Sequence, residues 1–198
     1  MSTKTVNGIL FIIAAIAPFV FYMGLGTDGA GILTDLETEK FVFWVMLSLP
    51  IALMMTLNTM KGGSGAEYAH IGLLIITIAY AVGTVGDLVG AASESTNQLG
   101  DAVGQAGWGA MMLGMAITGI GYYVQKNFPV WLSGILTAVA AYGFIIVGII
   151  GTSLDPDSPL FMVAWLGFAI SSLLLGVFTI RKKAVSYTHL TLPTILLV

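Results

Sequence analysis

The sequence predicts an all-α, polytopic membrane protein with six transmembrane helices and both termini in the cytoplasm. Composition is the first reason: 57% of the 198 residues are apolar and 9% are charged, with a mean hydropathy of +0.96. A soluble domain carries about 25% charged residues, so this chain lacks the polar groups to cover itself in water. The second reason is length. Apolar runs near Gly8–Leu25, Phe41–Met60, Ala69–Ala92, Gly104–Val124, Val130–Gly151 and Leu160–Ile180 can each cross ~30 Å of hydrocarbon as a helix. Helix is the default, because backbone in lipid must satisfy its own hydrogen bonds. The third reason is charge placement. With the N-terminus inside, Lys4, Lys61, Lys126, Arg181, Lys182 and Lys183 fall on the cytoplasmic side and only Lys40 outside. That is the lysine and arginine bias of cytoplasmic loops. The opposite side takes Asp28, Asp35, Glu37, Glu39, Glu94, Asp101, Asp155 and Asp157.

In the first run, Lys4 followed by an apolar stretch with Ala15-Ile16-Ala17 looks like a secretory signal, but the run continues through Pro18, Phe19 and Tyr22. It reads as a retained anchor. Pro18 and Pro50 lie inside the first two runs and are expected to kink them. Lys61-Gly62-Gly63-Ser64-Gly65 reads as a turn, and Pro159 suits the first turn of the last helix. Trp44, Trp108 and Trp165 near outer ends, Trp131 near an inner end and the pair Tyr122–Tyr123 read as interfacial anchors. The ten methionines are scattered as adaptable packing residues rather than gathered as copper ligands.

The third and fourth runs carry the informative patterns. His70, Thr77, Tyr80, Thr84 and Asp87 recur at helical spacing, which predicts a polar stripe facing the bundle interior. Asp87 is the one acid well inside an apolar run, and an intramembrane acid is a functional-site candidate. The candidate polar set is therefore Asp87, Thr84, Tyr80 and Thr77, with Gln105 of the fourth run placed to hydrogen-bond Asp87. Gly100, Gly104, Gly107, Gly114, Thr118 and Gly121 follow one another at small helical steps, with Met111 in the gap. Small residues on one side let a neighbouring helix approach closely, so Gly100, Gly104, Gly107, Gly114 and Gly121 are the expected helix-packing residues.

Several chemistries are excluded. The chain has no cysteine, hence no disulfide, thiolate metal site or iron–sulfur cluster. Apart from the tail, His70 is the only histidine, too few for haem ligation, a histidine box or catalytic zinc. Ser48, Ser171 and Ser172 have no identifiable base. No lysine lies within a run to form a retinal Schiff base, and Gly62-Gly63-Ser64-Gly65 lacks phosphate-loop spacing. Asp87 reads as a lone carboxylate. A non-enzyme without cofactor or metal is expected, and the dispersed basic residues exclude nucleic acid as a partner. The expected partners are the lipid bilayer and, through the glycine faces, a second copy or another membrane protein.

Two resemblances complete the reading. Gly114-Met115-Ala116-Ile117-Thr118-Gly119-Ile120-Gly121-Tyr122-Tyr123 followed by Phe128-Pro129-Val130-Trp131-Leu132-Ser133-Gly134-Ile135-Leu136 is similar to uncharacterised small multi-pass bacterial membrane families. The resemblance implies a six-helix inner-membrane protein and assigns no functional residue. Val185-Ser186-Tyr187-Thr188-His189-Leu190-Thr191-Leu192-Pro193-Thr194 resembles one reading frame of the transposon-end adapter used in sequencing libraries. Residues 185–198 are accordingly set apart as a non-native tail, leaving residues 1–184 as the membrane domain. The function expected is a structural or accessory membrane component; the alternative is a small transporter or channel for a solute or ion that uses Asp87 as its titratable group.

Overall fold

The computed structural model describes residues 1–60, 62–154 and 158–182. Among these it is all-helical, so the expected fold class holds in that respect. The helices are α1 (Thr3–Phe19), α2 (Asp35–Met46), α3 (Ser48–Leu57), α4 (Ser64–Ala92), α5 (Asn97–Gln125), α6 (Val130–Gly143) and α7 (Pro159–Arg181). Wide π-type turns extend α1 through Val20–Leu25 and α6 through Phe144–Ile149. The expectation of a non-native tail falls outside the described residues.

Five stretches are long and apolar enough to cross a membrane: Thr3–Leu25, Asp35–Leu57, Ser64–Ala92, Val130–Ile149 and Pro159–Arg181. The outward surfaces agree, with Ile71, Leu74, Ile78, Val82 and Val85 of α4 and Met162, Val163, Leu166 and Ile170 of α7 exposed. A chain whose large apolar residues line its outside belongs in a membrane. α5 has the length, at 29 residues, but its glycines and Asn97, Gln98, Asp101 and Gln105 hold down its hydropathy. It compensates by being enclosed: Gly107, Met111, Met112, Gly114, Met115, Thr118 and Tyr122 are all buried.

Neighbours in sequence are neighbours in space. α1 packs on α2 and α3, these on α4, α4 on α5, α5 on α6, α6 on α7, and α7 returns to α1. The bundle is thus a closed ring of antiparallel elements, its middle filled by Phe11, Leu49, Leu53, Met111, Met112, Met115, Leu132, Leu136 and Leu175. One end carries Asp35, Glu39, Asp87, Glu94 and Asp101; the other carries Lys4, Lys126, Arg181 and Lys182.

Three local causes set the geometry. Thr34 and Glu37 form a capping box, Thr34 Oγ1 accepting from the Glu37 amide and Glu37 Oε2 accepting from the Thr34 amide. α2 therefore starts at Asp35, well before the expected Phe41, because the cap satisfies the first orphan amides. The break between α2 and α3 falls at Leu47, where the ring of Pro50 opposes the carbonyl of residue 46. The tightest contact is the α4–α5 hairpin. A Cβ on Gly86 would stand 2.2 Å from the Gly104 nitrogen, one on Gly100 2.2 Å from the Gly90 nitrogen, and one on Gly107 2.2 Å from the Gly83 nitrogen. Gly114 closes on the Gly72 carbonyl and Gly121 on that of Gly65. The packing glycines expected from the sequence line this seam along its whole length.

Candidate functional site

The seam places Asp87. A Cβ on Gly104 would lie 2.7 Å from Asp87 Oδ1, so glycine there gives the carboxylate its room. One turn along α5, Trp108 donates its indole Nε1–H to Asp87 Oδ2 at 2.7 Å. The indole lies across Gly83, where a Cβ would stand 2.8 Å from the ring. Two glycines thus admit the two halves of one hydrogen bond. Trp108 also meets Tyr80 and Trp165 edge to face, each at 6.0 Å between centroids.

Asp87 is not alone. Tyr22, in the wide turn after α1, donates its hydroxyl to Glu39 Oε2 at 2.7 Å, and Glu39 and Asp101 line the same pocket as Asp87. A pocket of about 390 Å³ opens here, lined by Asp35, Glu39, Asp87, Glu94 and Asp101 together with Asn97 and small residues. None of its lining residues is basic. The carboxylates stand around the pocket rather than at one point: among the described residues, no group of three or more His, Cys, Asp or Glu is placed to hold a metal ion. Such a ring concentrates cations by its field without stripping their water.

The remaining site residues scatter. Thr84 is buried and spends its hydroxyl on the Tyr80 carbonyl, 2.7 Å away. Tyr80 is buried, stacks on Phe43 at 5.9 Å and donates its phenol to the Phe43 carbonyl. Thr77 and His70 are exposed on the outer surface, Thr77 bonding its own Leu73 carbonyl. The stripe expected to face the interior winds by about 100° between His70 and Asp87, so only its acidic-end part turns inward. Gln105 faces the turn after α6, beside Gly151, and its Oε1 has no partner. The expected Gln105–Asp87 bond is replaced by Trp108, since Gly104 and Trp108 share the α4-facing side and Gln105 is turned away from it.

Two aromatic expectations also change. Trp108 and Trp165 pack on each other inside the ring, and Tyr122 is fully buried, whereas Trp44, Trp131 and Tyr123 stay about half exposed. Glu39 and Tyr22 are the site residues that sequence reasoning missed, and Trp108, expected as an interfacial anchor, is instead the donor to Asp87. The register Gly90–Gly100, Gly86–Gly104, Gly83–Gly107 is the signal that brings Trp108 to Asp87.

Beyond the spans at the opposite end, Lys182 donates to Asn127 Oδ1 at 3.1 Å and lies over the Phe128 ring, 4.3 Å from its centroid. Burial, and then the charge of Lys4, push its ammonium below the usual lysine range.

Compared with protein-family models, curated proteins and solved structures, the chain finds no match.

Proposed function

We propose that this chain is a non-enzymatic, six-span protein of a prokaryotic cytoplasmic membrane, with both termini inside, that admits a small monovalent cation at its outer face. The observation that carries this reading is Asp87, held by Trp108 inside the ring at the pocket that Glu39 and Asp101 share. Intramembrane carboxylates mark ion pathways, and a carboxylate ring with no basic residue favours cations. Contact of α5 with α4 from Gly65 to Gly90 supports counting α5 as the sixth crossing. The lysine and arginine bias supports the orientation.

The test is flux. The full chain in liposomes is expected to pass Na⁺, K⁺ or H⁺ down an imposed gradient, with Asp87→Asn cutting the rate by roughly tenfold or more, the loss of an intramembrane charge partner. Flux that is absent, or equal in both proteins, leaves the second reading. That reading is a structural or accessory component, and the backbone-to-backbone α4–α5 seam favours it, because a rigid dry post suits a scaffold.

A further inference from the structure

At the basic end the bundle interior is polar but uncharged. Asn7 of α1 donates its Nδ2–H to Thr56 Oγ1 of α3 at 2.9 Å, and the Thr56 hydroxyl donates to the Ala52 carbonyl at 2.9 Å. The Tyr122 phenol of α5 meets the same Thr56 side chain. Thr56 is thereby saturated. Other buried oxygens of α1 and α7 are not: Asn7 Oδ1, Thr179 Oγ1, Ser172 Oγ and Ser171 Oγ have no hydrogen-bond partner among the described residues. All four residues are more than nine-tenths buried.

These groups belong to one region. A Cβ on Gly8 would lie 2.6 Å from the Gly176 carbonyl and 2.4 Å from Ile180 Cγ1, so α1 and α7 touch at the level where Asn7 precedes Gly8 and Thr179 precedes Ile180. On α7 the buried positions Ala164, Phe168, Ser171, Ser172, Leu175, Gly176 and Thr179 form one inward stripe. Thr179 and Ser172 lie two turns, or ~10 Å, apart along it.

Energetics asks for a ligand. Each hydroxyl or amide oxygen buried unpaired costs about 1–3 kcal/mol on mutational scales and more in hydrocarbon. Four of them approach the whole stability of a typical domain, about 5–15 kcal/mol. The groups are neutral, and the three hydroxyls can donate as well as accept, which suits water better than any ion.

We propose that the basic half of the ring holds internal water, bridging Asn7 and Thr179 and continuing along α7 to Ser172 and Ser171. This inference goes beyond the transport reading and stands if that reading fails.

The chain has no cysteine, so a single introduced thiol can report on water. Ser172→Cys, Thr179→Cys and the lipid-facing control Ile170→Cys (Ile170 is 56% exposed) are placed in bilayers of the full chain. Exchange of the thiol hydrogen for deuterium is followed by the infrared S–H stretch after transfer to heavy water. The inward thiols are expected to exchange at least about tenfold faster than the control, because exchange needs water at the group. Rates equal to the control, or slower, overturn the proposal. Should the thiol variants fail to fold, Ser171→Ala and Ser172→Ala decide it. A fall in the thermal midpoint supports bridging water; an unchanged or higher midpoint means the hydroxyls were dry, and the proposal is lost.

Discussion

The two ends of the ring differ in the polar groups they bury. At the acidic end two carboxyl groups have dedicated aromatic donors: Trp108 for Asp87 and Tyr22 for Glu39, each at 2.7 Å. At the basic end the interior groups are neutral: Asn7 and Thr179 keep an oxygen without a protein partner, as do Ser172 and Ser171 at mid-span on α7. A carboxyl group inside a membrane is expensive, and fixed aromatic donors lower its cost while leaving one side open. Neutral hydroxyls tolerate a mobile partner. Between the ends, the apolar centre keeps the two regions apart, and the α4–α5 seam holds them in one register.

That contrast can be broken at the seam first. Gly86→Val forces a side chain into the Gly104 backbone, where even a Cβ would be 2.2 Å away, and neither helix can yield locally. A loss of about 3 kcal/mol or more is expected, at or beyond the usual range for overpacking, read as loss of monodisperse folded protein. A well-folded Gly86→Val protein would mean the hairpin is looser than described.

Trp108→Phe comes next. It keeps an aromatic ring but leaves Asp87 without its donor, for an expected loss of about 1.5–3 kcal/mol in the thermal or chemical unfolding of the protein. Tyr22→Phe removes the matching donor of Glu39 nearer the surface and should cost less. Equal losses would erase the difference between the interior and rim carboxylates.

At the other end, Thr56→Val removes the hub shared by Asn7 and Tyr122, at an expected cost of about 1–2 kcal/mol. A neutral result would show that the Thr56 hub contributes nothing to stability.

The smallest effect concerns pH. The Lys182 ammonium titrates below the usual lysine value because burial disfavours its charged form. Its folded form therefore binds the proton less well than its unfolded form, and the penalty is complete below the folded value. It is relieved as pH rises toward ~10.4. Relative to Lys182→Met, the unaltered protein should gain thermal stability over that rise, and a difference that stays flat with pH would show that Lys182 keeps its hydration.

The fold followed from the sequence because its signals are local: apolar length, turn residues and glycines at helical steps. The seam is the clearest case, since glycine spacing on α5 states that something must come close, and α4 carries the matching Gly83, Gly86 and Gly90. Asp87 stood out for the same reason, an acid within an apolar run. Its partners did not, because they depend on register and on helix starts. Trp108 is brought to Asp87 only once Gly86 is paired with Gly104. Glu39 enters the site only because the Thr34–Glu37 cap begins α2 early. The inward polar groups of α7 were hidden because a serine in an apolar run gives no sign of which neighbours it will meet. Gln105 shows the limit of depth arguments: it is level with the site, yet turned toward the α6 side.

The most direct measurement is infrared difference spectroscopy of the carboxyl bands of the full chain in lipid, as Na⁺ or K⁺ replaces a bulky organic cation, with Asp87→Asn as reference. A cation site at the acidic end predicts a band that shifts with the cation, that disappears in Asp87→Asn and that is altered in Trp108→Phe. A carboxyl spectrum indifferent to the cation, and identical in Asp87→Asn apart from the lost band, would contradict a cation site at the acidic end.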